Sequence, residues 1–175
     1  MDKRTLRKKM LSIRNKTLDK DKKSTIIVHK IINMNRYCNS QVIALYKSLK
    51  NEVDLDNLIN YSLNCGKIVL LPRVVGDDLV FIKINFDTKY EISNFGVMEP
   101  IYDVKNLYNG NIDLIIVPGV GFDIECNRMG YGKGYYDRFL FNKDIYKIGV
   151  CFKEQLVDKI PADIMDVRMN KVITD

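Results

Sequence analysis

The sequence predicts a three-layer α/β/α fold in one domain spanning 1–175, built on a mostly parallel central sheet. Three observations lead there. Apolar runs of strand length, such as Ile112 to Val117 and Tyr146 to Phe152, lack polar alternation, which marks strands covered on both faces. Helix-period segments alternate with these runs, the order that places helices against both sides of a parallel sheet. The chain has 175 residues, 46% of them hydrophobic, which is enough for a proper core. No apolar run approaches the ~20 residues that span a bilayer. The N-terminus also lacks a secretory leader, so a cytoplasmic protein without membrane attachment is expected.

Asp2 to Lys16 reads as a helix whose narrow apolar stripe is Leu6, Met10 and Ile13 or Leu11; Lys3, Arg4, Arg7, Lys8, Lys9 and Arg14 cover the rest. Asp19 to Met34 is a second helix, with Ile26, Ile27, Ile31, Ile32 and Met34 inward and Lys20, Lys22, Lys23 and Lys30 outward. Gln41 to Leu49 reads as a strand. Asp54 is placed to cap a helix over Leu55 to Asn64, and Cys65-Gly66 stops it. Lys67 to Val75 is a buried strand ending in Pro72-Arg73, followed by a turn at Asp77-Asp78 and an antiparallel strand from Leu79 to Ile84. Asn94 to Pro100 reads as a loop near a pocket. Glu154 to Val157 reads as a short helix, and Ile164 to Asp175 ends in a short strand.

The most informative stretch is Ile112 to Leu140. Its strand stops at Pro118-Gly119, and a loop with Gly119, Gly121, Gly130, Gly132 and Gly134 leads into a helical run, Tyr135 to Phe141. A glycine loop entering a helix can aim free backbone N–H groups, and the positive end of a helix dipole, at an anion. Arg128 and Lys133 add full charges, so the loop reads as a phosphate site. It is neither of the two common phosphate loops. Gly132-Lys133 has Asn127 where a P-loop needs glycine, and Gly130 to Gly134 is G-x-G-x-G, not G-x-G-x-x-G. Asp137, just inside the helix, is the acid nearest the expected phosphates and suits Mg²⁺, which takes one or two carboxylates beside phosphate oxygens.

The formal charge is +6, with eleven Lys/Arg against three Asp in residues 1–30 and seventeen against nineteen acids in the remainder. The basic excess is a local arm, not a nucleic-acid-binding surface. Cys38, Cys65, Cys126 and Cys151 show no zinc spacing and read as reduced thiols. His29 is the only histidine, which argues against Ser-His-Asp or Cys-His chemistry.

The string NRMGYGKGYYDRFL behind VPGVGFD closely resembles the nucleotide-binding signature of the 5-formyltetrahydrofolate cyclo-ligase (5,10-methenyltetrahydrofolate synthetase) family. K-x-x-L-R at the N-terminus is similar to the family's second nucleotide motif. The resemblance implies ATP contacts along Lys3, Arg4, Thr5, Leu6 and Arg7, and along Arg128, Met129, Gly130, Tyr131, Gly132, Lys133, Gly134, Tyr135 and Tyr136. The side chains of Arg4, Lys8 and Lys9 themselves read as a solvated face. Lys3 and Arg7 lie one turn apart and could clamp a polyphosphate.

The local string SLKNEVDLDNLI implies that Glu52 contacts the folate's pterin and that Lys47 lines the substrate pocket. A carboxylate suits a pterin because it accepts two parallel N–H bonds. Gly132, Lys133 and Gly134 are implied in the same substrate pocket, with Tyr131 and Tyr135 on its folate side. Mg²⁺ is implied at Asp137 and Asp166. Arg73 is open between a phosphate contact at a strand's carboxyl end and a surface ion pair. Asn170 stands where the family usually has Asp.

The implied reaction is ATP- and Mg²⁺-dependent ring closure of 5-formyltetrahydrofolate, by phosphorylation of the formyl oxygen and displacement by N10 of the same substrate. Lys133, Arg128 and Asp137 are the expected catalytic residues of what should be a monomeric enzyme. Two alternatives remain at this point. One is an ATP-dependent kinase or ligase acting on another small molecule. The other is a basic-arm RNA-binding module, against which counts the absence of Phe and Tyr from residues 1–30.

Overall fold

Alternation within single strands explains why the runs are apolar throughout. In the computed structural model, which describes residues 2–175, Ile43 and Leu45, Val69 and Leu71, and Leu114 and Ile116 face one buried layer. Ala44, Leu70, Ile115 and Val117, between them in sequence, face another. With a side-chain period of two, apolar residues on both phases mean cover on both faces.

The elements, in chain order, are helices α1 (Lys3–Lys16), α2 (Lys20–Ile32) and α3 (Asn35–Asn39), strand β1 (Val42–Ala44), and helix α4 (Asp56–Asn64). Strands β2 (Ile68–Val75), β3 (Asp78–Ile84), β4 (Tyr90–Ile92), β5 (Met98–Pro100), β6 (Leu114–Pro118), β7 (Gly121–Asp123) and β8 (Arg128–Met129) follow. Helix α5 (Tyr135–Leu140) precedes β9 (Tyr146–Val150), β10 (Leu156–Val157) and β11 (Lys171–Ile173). The main sheet has the order β11-β9-β6-β1-β2-β3 and is parallel except for β3, as the α/β reading expects. Helices α2 and α4 supply Ile27, Ile31, Leu58 and Ile59 to one layer; Leu140 of α5 joins Phe81 and Phe122 in the other.

From β1 the chain runs to β2 and β3 on one side and later to β6, β9 and β11 on the other. The carboxyl end of β1 is therefore the point where strand order reverses, and such points open a crevice for ligands. A second layer of chain sits above that end. Strands β7, β8 and β10 form a small sheet, and Leu6 and Met10 of α1 pack on it with Val120, Met129 and Ile160. Phe122 locks this layer down. A Cβ at Gly149 of β9 would come within 2.3 Å of its ring, so β9 needs glycine where the ring crosses it.

Several elements differ from their sequence reading. The strand expected over Gln41 to Leu49 is only Val42–Ala44. Beyond Leu45, whose N–H reaches Leu70 O at 2.9 Å, the chain leaves the sheet and turns through Leu49 and Glu52. The loop between Pro118 and Gly134 carries the β7–β8 hairpin, and half of the expected 94–100 loop is β5 paired with β4. The helix expected over Glu154 to Val157 is a single 3-10 turn, Lys153–Gln155, running into β10, which pairs with β7.

Two side chains of α2 also differ from their inward and outward assignments. Ile26 is exposed, whereas Lys23 is drawn in by Glu154 (2.6 Å) and Asp175 (2.9 Å), tying α2 to the C-terminus. The cap residue of α4 is Leu55, and Asp54, one residue outside it, accepts the Asp56 N–H at 2.8 Å. Asn170 acts only on its own strand pair. Its N–H donates to Lys147 O (2.8 Å) and its Oδ1 accepts from Lys147 N (2.7 Å), setting the register of β11 on β9. No helix among the described residues is long and apolar enough to cross a membrane.

Candidate active site

The anchor of the glycine loop is Asp123, the last residue of V-P-G-V-G-F-D. It is 1% exposed, and its oxygens accept from the main-chain N–H of Glu125 (3.0 Å), Asn127 (2.9 Å) and Ile160 (2.8 Å) and from the Asn127 amide (2.9 Å). Burial alone would raise its pKa, but these donors outweigh that and hold it below the usual carboxylate range. The turn they define delivers Arg128 to the crevice.

Arg128 is buried, donates to Asp137 Oδ2 (2.7 Å) and Pro118 O (3.3 Å), and lies over the Tyr136 ring. Its Nε is buried and has no hydrogen-bond partner. Asp137 in turn accepts the Val167 N–H on Oδ1 (3.1 Å), which brings Asp166 alongside. Asp166 pairs closely with Lys3 and accepts the Asp163 N–H (2.7 Å). Arg7, one turn further along α1, donates from Nε to Gly130 O at 2.8 Å. Lys3 and Arg7 of the basic arm are thus folded against the C-terminal segment and the loop.

Gly130 to Gly134 then runs along the cavity. Gly132 has φ +96 and lies beside the Arg7 guanidinium; a side chain there would be strained by the backbone conformation. Among the described residues, the main-chain N–H groups of Tyr131, Gly132, Lys133 and Gly134 donate to no other protein group. Lys133 is exposed and makes no ion pair among the described residues. Helix α5 is six residues long and begins directly after these amides.

Across the cavity stands Glu52, buried at 8% exposure. Its Oε2 accepts the Leu49 N–H (2.9 Å); its Oε1 accepts the Tyr131 hydroxyl (2.5 Å) and Arg14 Nη1 (3.4 Å). Arg14 also donates to the Tyr131 hydroxyl at 2.7 Å. Arg14, counted by sequence only among the charged residues around the apolar stripe of α1, is 5% exposed: the helix turns it inward between these two partners. Burial, then the Glu52 charge, pushes the Tyr131 and Tyr136 hydroxyls well above the ordinary tyrosine range, so both remain protonated donors.

The cavity measures about 600 Å³. It brings together Lys3, Arg7, Lys47, Glu52, Arg128, Gly130, Tyr131, Gly132, Lys133, Gly134, Tyr135, Tyr136, Asp137 and Asp166 from the residues expected at a site. Arg4, Thr5, Leu6 and Met129 do not line it. Thr5 bonds Asp2 at the helix cap, Arg4 is exposed, and Leu6 and Met129 are in the small core beneath α1. Lys47 is held by Asp56 at 2.6 Å. Arg73 forms an ion pair with Glu91 (2.6 Å) and donates to Pro100 O (2.8 Å), fastening the β4–β5 hairpin to β2.

That hairpin supplies walls with little sequence signal. Phe95 packs edge-on to Tyr135 at 6.0 Å, and Glu99 is buried, its carboxyl raised by desolvation. Among the described residues no group of three or more His, Cys, Asp or Glu forms a ready metal cage. Asp137 and Asp166 fit the sparser demand of Mg²⁺, which binds through one or two carboxylates with phosphate oxygens and water.

The sequence model of the 5-formyltetrahydrofolate cyclo-ligase family matches residues 1–175. A 5-formyltetrahydrofolate cyclo-ligase of Mus musculus is 31% identical over 166 residues, 87% of this chain and 82% of the relative. The solved 5,10-methenyltetrahydrofolate synthetase of Aquifex aeolicus superposes with a TM-score of 0.85 at 32% identity, covering 98% of this chain and 89% of that one. The enzyme of that name from Mycoplasma pneumoniae gives 0.76 at 29% identity over 100% and 99%. With the cation-rich loop and the buried glutamate facing each other at the switch point of the same sheet, the chain belongs to the 5-formyltetrahydrofolate cyclo-ligase family.

Proposed function

We infer that this cavity is where the chain converts 5-formyltetrahydrofolate to 5,10-methenyltetrahydrofolate at the expense of ATP, releasing ADP and phosphate. One observation carries the placement: unpartnered loop amides with Lys133, Arg7 and Arg128 border the same space as a fixed, buried Glu52. Donors on one side suit a triphosphate. An acceptor on the other suits the amino-pyrimidine edge of a pterin, with Tyr135 and Phe95 as flat walls for the rings.

The formyl oxygen is a poor leaving group. Attack by that oxygen on the γ-phosphorus expels ADP and leaves the formyl carbon bonded to phosphate. The substrate's own N10 then attacks this carbon, phosphate departs with the oxygen, and the N10 proton is released. No protein nucleophile enters. The protein's residues position two substrates and compensate charge, the main contributions in phosphoryl transfer.

Lys133, exposed and without an ion pair, is available to the transferring phosphoryl group. Arg128 sits behind it, its orientation fixed by Asp137 and Pro118 O. Lys3 and Arg7 close the amino-terminal side. Asp137 and Asp166 would hold Mg²⁺, which when bound neutralises phosphate oxygens as a hard Lewis acid. Since this chain supplies the walls of the whole cavity, we read the enzyme as a monomer.

A kinase or ligase for another small molecule would share the phosphate side but has no use for Glu52 as held here. Mixing the protein with 5-formyltetrahydrofolate and Mg-ATP should produce the near-UV band of the methenyl product. The band should disappear when ATP is omitted or Mg²⁺ is chelated. A folded protein that binds ATP yet gives no band contradicts this function.

A further inference from the structure

The hydrogen bond between the Tyr131 hydroxyl and Glu52 joins the two sides of the cavity. Between Gly130 and Gly134, Tyr131 is the one described residue whose side chain makes a hydrogen bond, and it makes it to the carboxylate assigned to the pterin. Arg14 closes a triangle by reaching both the Tyr131 hydroxyl (2.7 Å) and Glu52 Oε1 (3.4 Å) from within the core. Neither Arg14 nor the Tyr131 hydroxyl has a place in the chemistry above.

We propose that the Arg14–Tyr131–Glu52 triangle links the two subsites, so that nucleotide in the glycine loop and reduced folate on Glu52 strengthen each other's binding. This rests on the assignment of Glu52 and the loop to those two ligands. Tyr131 already rests on Glu52; phosphate held by the loop amides restrains Tyr131 in that position, and folate on Glu52 restrains the same contact from the other side. The cost of ordering is met once and shared by both ligands, which is positive cooperativity without any contact between them. Linkage makes the effect reciprocal: each ligand improves the other's affinity by the same factor. Tyr131 acts through Glu52 and is a positioning residue. Tyr131→Phe keeps the ring and removes only the hydroxyl that touches Arg14 and Glu52.

The test is calorimetric titration of 5-formyltetrahydrofolate into the full chain, with and without a saturating non-hydrolysable ATP analogue, for the unaltered protein and Tyr131→Phe. The analogue should tighten folate binding to the unaltered protein by about fivefold or more, in the range usual for coupled sites. The reverse titration should return the same factor. In Tyr131→Phe the two folate constants should agree within about twofold, whereas a merely structural role would leave their ratio intact. Retention of the ratio in the variant overturns the linkage, as does its absence, or weakened folate binding, in the unaltered protein with analogue bound. If folate fails to bind the unaltered protein at all, the assigned function falls first and the linkage with it.

Discussion

Replacing Lys133 by alanine lowers kcat/KM for ATP by about 100- to 1,000-fold, the loss typical of removing one preorganised charge-stabilising donor, and leaves the melting temperature nearly unchanged. The two halves of this expectation have separate origins. Lys133 lies in the loop whose amides are unpartnered and makes no ion pair of its own, so its charge is available to phosphate and supports nothing else. Exposed substitutions of this kind fall within about 0.5 kcal/mol of neutral. Steady-state kinetics beside a thermal melt measure both. Unchanged nucleotide dependence, or a loss of activity explained by unfolding, contradicts the role given to Lys133.

Arg14→Met has the opposite profile. Removing one member of a buried ion pair costs about 3–5 kcal/mol, because the partner stays buried and uncompensated. Glu52 keeps its Tyr131 and Leu49 donors and faces the cavity, which favours the lower end. About 3 kcal/mol corresponds to a fall of roughly 6–12 °C in melting temperature for a domain of this size. Arg4→Ala on the exposed face of the same helix is the control and should move it little. A fall of less than about 2 °C for Arg14→Met would mean that the pair contributes no more than a surface contact.

The contrast between these two residues shows what a sequence carries. Lys133 was legible because it stands inside a compact local pattern of glycines and cations, and the family resemblance rests on that pattern. Arg14 was not: polarity alone puts an arginine on the outer face of a helix, and its partners are 38 and 117 residues away in the chain. Arg73 stayed open between two readings because its counter-charge, Glu91, lies on a hairpin with little sequence signal.

The buried strands Leu114–Pro118 and Tyr146–Val150 were legible because both faces are covered and the apolar run is uninterrupted. Strands β7, β8 and β10 have two or three residues each, too short to show a period. Strand β1 was overextended because Leu45 and Tyr46 stay buried after the chain leaves the sheet. Asp123 had a signal in V-P-G-V-G-F-D, but its role as the loop's anchor needed the four donors that converge on it.

The central claim is a location: a triphosphate held by the main-chain amides of Tyr131 to Gly134, under Lys133 and between Arg128 and the amino-terminal cations Lys3 and Arg7. A crystal structure of the chain with a non-hydrolysable ATP analogue tests it most directly. It should show the γ-phosphate within hydrogen-bond reach of those amides, and adenine nucleotide bound at a different surface with this loop empty would contradict it.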